Sequence, residues 1–338
     1  MSNSLRALAV ALLVEVLGGC GGGAPSSGPT TRQALGDLRA PGLRTDVRAA
    51  LGGRAAPARV RSGIYVAQFF SSYVYGYPLD NSKNGPPICN VYNPYQSVND
   101  IAVDGHGNLL IPLEVPNEIL VYKGTKLCGP WSATIADPYG QPTGAAANDA
   151  VHGTIAVANI FDLSGSGSVS LCTVSGGCTT NLTNPDLYEV GGVAMDVRGN
   201  CWASGLNVSY VSVLIYFAGC AGPGVAATGV AQTQGYGGLD IDKDGNLVAV
   251  SIPNSLYVYR GCRPKCKLVG GPFSLEGGTI FGHLNKNSTF FAAGDYQYGQ
   301  VDIYGYRPKS LTYVYSFNNG LSASNDVGGA AYSPRSKE

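Results

Sequence analysis

Charge is scarce in this sequence. Only 13% of its 338 residues are Asp, Glu, Lys or Arg, about half the usual share, and 22 cations balance 22 anions. A nucleic-acid partner asks for a basic field on the folded domain, and a net charge of zero argues against one. Histidine is rarer still, with three in all, so few groups are available for imidazole base catalysis. No Gly-rich phosphate loop follows a strand and opens a helix, and no G-x-S-x-G elbow stands in a strand-to-helix context. Beyond the N-terminal run, no apolar stretch is long enough for a transmembrane helix.

What is present begins with an export-type N-terminus. Ala7 to Leu17 form a short apolar run after Arg6, closing on Leu17-Gly18-Gly19-Cys20. The run is too short to span a bilayer and reads as a cleaved signal over residues 1–20. Its ending resembles a bacterial lipobox, which implies lipidation of Cys20. An ordinary secretory signal cleaved near Gly19 or Ala24 is the alternative. Residues 21–62 are rich in Gly, Pro, Ser, Ala and Arg and too poor in large apolar side chains to offset their ordering entropy, so a disordered tether is expected. Its root-mean-square reach would be about 35 Å. The tether holds seven Arg and two Asp, whereas residues 63–338 hold 14 basic and 19 acidic residues. A basic tether can lie against an anionic membrane surface or serve only as a solvated spacer.

From residue 63 onward the sequence repeats itself. NDIAVDGHGNLLIP begins at Asn99, GGVAMDVRGNCWASG at Gly191 and GGLDIDKDGNLVAVS at Gly237, with looser copies at Thr143, Gly277 and Gly328. Aligned on the Asp position, the copies fall at Asp104, Asn148, Asp196, Asp242, Gly282 and Ser333, spaced 44, 48, 46, 40 and 51 residues apart. That is the length of a four-stranded propeller blade, so an all-β, six-bladed propeller is predicted over residues 63–338. GIYVAQF from Gly63 behaves as a strand B with no strand A before it. VGGAAYSP from Val327 behaves as a strand A with nothing after it. Pairing the two closes the ring and removes a sheet edge. Tyr122, Tyr216, Tyr257, Tyr259 and Tyr304 recur in the C strands and are expected to pack between blades.

The repeated GG-x-A-x-D-x-x-GN followed by a β-rich strand, seen at Gly191 and Gly237 and less strictly at Asn99, resembles NHL-type and gluconolactonase-type propellers. That resemblance covers residue 63 to the end. It implies the fold but not one activity, because the group includes lactonases, lyases and non-catalytic binding domains.

Eight cysteines follow Cys20, an even number that points to disulfides in an exported chain, with free buried thiols as the alternative. Cys172 and Cys178 flank a C–D turn, Cys262 and Cys266 bracket Arg-Pro-Lys at the same place in another blade, and Cys201 and Cys220 meet across antiparallel strands. Cys89 and Cys128 are left to pair only by elimination.

In propellers of this type ligands usually meet the D–A and B–C loops. There the candidate binding residues are Asn99, Asp100, Glu189, Tyr236, Asp295, Tyr296, Tyr298 and Asp326. The gluconolactonase resemblance implies a channel Ca²⁺ or Zn²⁺ that polarises a lactone carbonyl, for which Asp100, Glu189, Glu276 and Asp326 are the carboxylates in reach. No cofactor is otherwise called for. A lyase resembling virginiamycin B lyase needs a histidine base. His106 and His152 lie near A–B turns and His283 near the end of an inner strand, where each is expected to serve a turn or packing. The sequence thus favours a non-catalytic binding or scaffold module, monomeric, at the cell envelope or secreted. A protein, peptide or glycan would be its partner, and a metal-dependent hydrolase or lyase is the alternative.

Overall fold

The computed structural model describes residues 62–95, 98–148, 153–233, 235–252, 254–322 and 326–333. The signal, the tether and His152 lie outside these, as do the side chains of Asn148 and Tyr236. No described helix is long and apolar enough to cross a membrane.

The chain folds as a six-bladed β-propeller of four-stranded antiparallel blades. Blade one holds β1 (Gly63–Gln68), β2 (Tyr73–Pro78) and β3 (Cys89–Tyr92). Blade two is β4 (Ala102–Val103), β5 (Leu109–Leu113), β6 (Glu118–Tyr122) and β7 (Trp131–Ala136). Blade three is β8 (Gly140–Asn148), β9 (Thr154–Asp162), β10 (Ser168–Thr173) and β11 (Gly177–Thr183). Blade four is β12 (Glu189–Met195), β13 (Cys201–Leu206), β14 (Ser212–Phe217) and β15 (Val225–Ala226). Blade five is β16 (Gly235–Ile241), β17 (Leu247–Ile252), β18 (Ser255–Arg260) and β19 (Lys267–Ser274). Blade six is β20 (Thr279–Leu284), β21 (Phe290–Asp295), β22 (Gln300–Arg307) and β23 (Ser310–Phe317). The last strand, β24 (Val327–Ser333), returns to blade one and pairs antiparallel with β1, Gly63 opposite Ser333. The two ends of the propeller therefore share one sheet, as the missing A strand requires.

The repeat works through its turn. Asp104, Asp196 and Asp242 each accept, through Oδ1, the backbone N–H groups two and four residues on, and each receives the Nδ2–H of the Asn four residues later. The glycine between them takes positive φ, 80° at Gly199 and 77° at Gly245, which a Cβ would oppose. In blade six the equivalent residue is Asn285, not the aligned Gly282. Asn285 caps Thr289 and Phe290 through its Oδ1, while Gly282 sits inside β20. This turn is one residue longer than the others, and the alignment slips because Asn285 lies seven residues after Gly278, where Asp196 and Asp242 lie four after Gly192 and Gly238.

Apolar side chains of neighbouring blades interlock; Val193, Ala203 and Phe217 of blade four pack on Ala156, Val169 and Leu182 of blade three. Buried tyrosines fasten their hydroxyls to backbone of the preceding blade or of the connection that leaves it. Tyr122 Oη donates to Tyr92 O (2.6 Å), Tyr77 Oη donates to Asn319 O (3.0 Å), and Ala231 N–H donates to Tyr259 Oη (3.0 Å). These C-strand tyrosines pack and tie blades, as expected; Tyr216 instead bonds Asn200 within its own blade.

All four disulfides form: Cys89–Cys128, Cys172–Cys178, Cys201–Cys220 and Cys262–Cys266. The first joins blade one to blade two; the others lie within blades. Every one sits on the end of the propeller that carries the A–B and C–D connections, called here the turn face. The opposite end, with the B–C and D–A connections, is the loop face.

Candidate functional site

Two places gather chemistry: the axial channel and the loop face. The channel is lined by all six inner strands, mostly with alanine (Ala102, Ala146, Ala194, Ala331), and its polar residues are Asp240 of β16, His283 of β20 and Tyr332 of β24. Small residues are what this position demands, since six strands crowd one axis. His283 Nε2 stands 3.1 and 3.3 Å from the two oxygens of Asp100, and its Nδ1 lies 3.7 Å from Asp240 Oδ2. Asp100 precedes β4, two blades away around the ring from β20. It reaches the histidine across Gly329 of β24, where a Cβ would lie 2.5 Å from Asp100 Oδ1. Burial opposes the imidazolium, but the charges and hydrogen bonds of Asp100 and Asp240 outweigh it and push the His283 pKa up to about 10. At neutral pH both ring nitrogens carry protons, so His283 cannot act as a base. It is neither a turn nor an apolar packing residue but the centre of a partly buried Asp–His–Asp cluster.

Of the carboxylates named for a channel cation, Asp100 faces the His283 ring and Asp326 is held elsewhere. Asp326 receives Phe70 N–H (2.7 Å), Gln68 Nε2–H (3.0 Å) and the Ser322 hydroxyl, holding the loop beside the ring closure. Glu189 is buried at the start of β12, where burial pushes its carboxyl pKa up. Glu276 is exposed in the connection between β19 and β20, its N–H donating to Tyr304 Oη (2.7 Å). Among the described residues, one His, Cys, Asp or Glu grouping has metal-binding proximity, Asp137 with Cys172 and Cys178, and its sulfurs are spent in a disulfide.

On the loop face, polar groups sit beneath the B–C loops. In blade two, Asn99 Nδ2 donates to Glu114, whose carboxyl burial pushes up to about 7. In blade three, Ser170 Oγ donates to Asp137 Oδ1 (2.9 Å) and Asn159 Nδ2 to Ser170 Oγ (2.7 Å). In blade six, Asp295 Oδ1 accepts the N–H groups of Gly278, Gln297 and Tyr298. Asp295 also faces Asp302 of β22, which sequence reading missed. Both are fully buried, their charges are coupled, and each leaves its Oδ2 atom without a hydrogen-bond partner. The raised pKa values favour a pair that keeps one carboxyl protonated. Burial, then the Asp295 charge, pushes Asp302 up to about 8.

Above these nodes the B–C loops expose Phe70, Val115, Leu163, Val208, Tyr210 and Tyr298. Phe161, Tyr188 and Tyr210 form a continuous edge-to-face series over blades three and four, with centroids 6.0 and 5.9 Å apart. Tyr298 is 55% exposed, while the Tyr296 ring lies over Gly278. The side chain of Tyr236 is outside the described set. So, of the candidate binding residues, Tyr298 meets solvent on the loop face, and Asn99, Asp100, Glu189, Asp295 and Asp326 are buried beneath it.

Charge is segregated between the faces. Every described lysine and arginine lies in or beside an A–B or C–D connection, on the turn face. Among the described residues the loop face has none, and carries Glu114, Glu118, Asp162, Asp186, Glu276 and others. The zero net charge conceals a basic field on the folded domain, so composition alone does not exclude a polyanionic partner.

No protein-family model matches the sequence, and no curated protein matches it. Among solved structures it is similar to a chain of a nidogen/laminin complex (14% identity, TM-score 0.59, 81% of this chain and 99% of that one). It is also similar to a protein of unknown function from Bacteroides caccae (11%, 0.55, 80% and 98%). A functionally unknown protein from Desulfotomaculum acetoxidans resembles it too (14%, 0.52, 79% and 83%). At these identities the likeness shows the fold alone.

Proposed function

We propose that this chain is an exported, non-catalytic binding module that engages a protein or peptide partner through its loop face. The observation that carries this reading is the make-up of that face: exposed aromatic and aliphatic side chains on the B–C loops, carboxylates between them, and no described cation. Tyrosine offers broad contact area at low entropic cost, and carboxylates without competing cations favour Lys- or Arg-bearing ligands. Four disulfides fit an oxidising compartment, and lipidation at Cys20 would hold the propeller at the cell envelope. Against catalysis, the channel histidine is protonated and its carboxylates are paired.

The test is a peptide and glycan array probed with the full chain and with its Tyr210→Ala/Tyr298→Ala variant. Selection of cationic peptides, lost in the variant, supports the reading. Equal binding by the variant, selection of glycans alone, or metal-dependent turnover of lactones would refute it. Lipidation is checked separately by mass spectrometry of the mature N-terminus.

A further inference from the structure

We infer that the turn face is a second interaction surface, built to lie on an anionic lipid bilayer. Three independent features meet there. The first is charge. Arg198, Lys243 and Lys286 project from A–B turns, and Lys123, Lys265 and Lys309 from C–D connections; Lys126 is half-buried and all other described lysines and arginines on this face are exposed. Against them stand two exposed carboxylates, Asp80 and Asp244. The remaining turn-face aspartates, Asp104, Asp196 and Asp242, are buried and hold turns, and Asp196 also pairs with Arg263 at 2.5 Å.

The second feature is rigidity. All four disulfides staple this end, and contacts between blades lock its turns: Lys243 N–H donates to Ser288 Oγ (2.9 Å), Tyr306 Oη to Asp242 Oδ2 (3.0 Å), and Trp202 Nε1–H to Cys262 O (2.6 Å). Turns already held in place lose little backbone entropy on meeting a charged surface. The third is chain direction. β1 enters at Gly63 and β24 leaves at Ser333, and both residues lie at this same end. A tether N-terminal to β1 would therefore join the propeller at the cationic face and not at the loop face. Juxtamembrane cations gain from an anionic surface only within about a Debye length, which a docked face satisfies. The loop face then points away from the bilayer, free for its own partner.

The experiment is co-sedimentation of the full chain, carrying Cys20→Ser to remove any lipid, with phosphatidylcholine vesicles and with vesicles containing 30% phosphatidylglycerol. The parent is expected to bind the anionic vesicles alone, with release at high salt. A variant with Arg198→Glu, Lys243→Glu, Lys286→Glu and Lys309→Glu is expected to bind at least tenfold more weakly with an unchanged melting temperature. A second variant, with the seven tether arginines replaced by Ser, should retain most of the binding. The inference is overturned if the parent ignores anionic vesicles, or if the tether variant loses binding while the face variant keeps it. It is also overturned if a DNA duplex competes as a tighter ligand, which would make the face a nucleic-acid surface.

Discussion

The propeller should be most stable near pH 5 and lose stability towards pH 8, and the Asp295–Asp302 pair should account for much of the slope. Asp302 has an ordinary pKa of 3.8 in the unfolded chain and about 8 in the folded one. The folded state therefore holds a proton that the unfolded state releases. Stability from such a group is full below the unfolded value and declines as pH rises to the folded value, at up to about 1.4 kcal/mol per pH unit. Between pH 5 and 8 the share of Asp302 is at most about 4 kcal/mol. Glu114, with 4.5 raised to about 7, acts in the same sense over the lower part of the window. His283, with 6.5 raised to about 10, gives stability that is full below 6.5 and lost as pH rises through 10, so it adds to the decline above neutrality. Asp302→Asn replaces the protonated carboxyl with a neutral amide. The variant should match the parent near pH 5 and exceed it at pH 8, with a flatter profile. Equilibrium urea unfolding with disulfides intact, from pH 5 to 8, reads both slopes. A flat or rising parent profile, or a variant with an unchanged slope, would refute the reasoning.

Four further outcomes follow from the same geometry. Replacing Cys89 and Cys128 by Ala opens a bridge across 39 residues and should cost about 4 kcal/mol by loop entropy, against about 2 kcal/mol for Cys172 and Cys178, measured by thermal unfolding. Ending the chain before Val327 removes β24 and exposes the edge of β1, so it should yield aggregates in size-exclusion chromatography where the parent is folded. Asp242→Ala strips acceptors from Asp244, Asn246 and Tyr306 and should destabilise by about 3 kcal/mol in denaturant titration. His283→Gln leaves Asp100 and Asp240 without their cation and should cost about 3 kcal/mol, with the loss shrinking towards pH 10.

The fold was legible because one local device, an aspartate that gathers its own turn, is rewritten along the chain at blade spacing. In blade six the Gly277-Gly278 pair stands three residues further from its turn than Gly191-Gly192 and Gly237-Gly238 do from theirs, so the alignment slips to Gly282, since spacing counts residues and the turn is defined by hydrogen bonds. The β1–β24 closure was legible too, because an unpaired B strand and an unpaired A strand leave one solution. The Asp100–His283–Asp240 triad was not. Its members belong to three blades and meet only after closure has set Gly329 between two of them. Asp302 was overlooked because it reads as one polar position in an apolar strand, and only its neighbour across the hairpin makes it a carboxyl pair. Charge segregation escaped composition for a related reason. Net charge sums over the chain, whereas the face a residue occupies depends on whether its connection follows an odd or an even strand of the blade.

The most direct test of a two-faced binding propeller is one array measurement on three proteins: the parent, the Tyr210→Ala/Tyr298→Ala variant and the four-site turn-face variant. Cationic peptides bound by the parent and the turn-face variant, and lost with the two tyrosines, are the predicted result. Loss of peptide binding in the turn-face variant, or retention in the tyrosine variant, would contradict it.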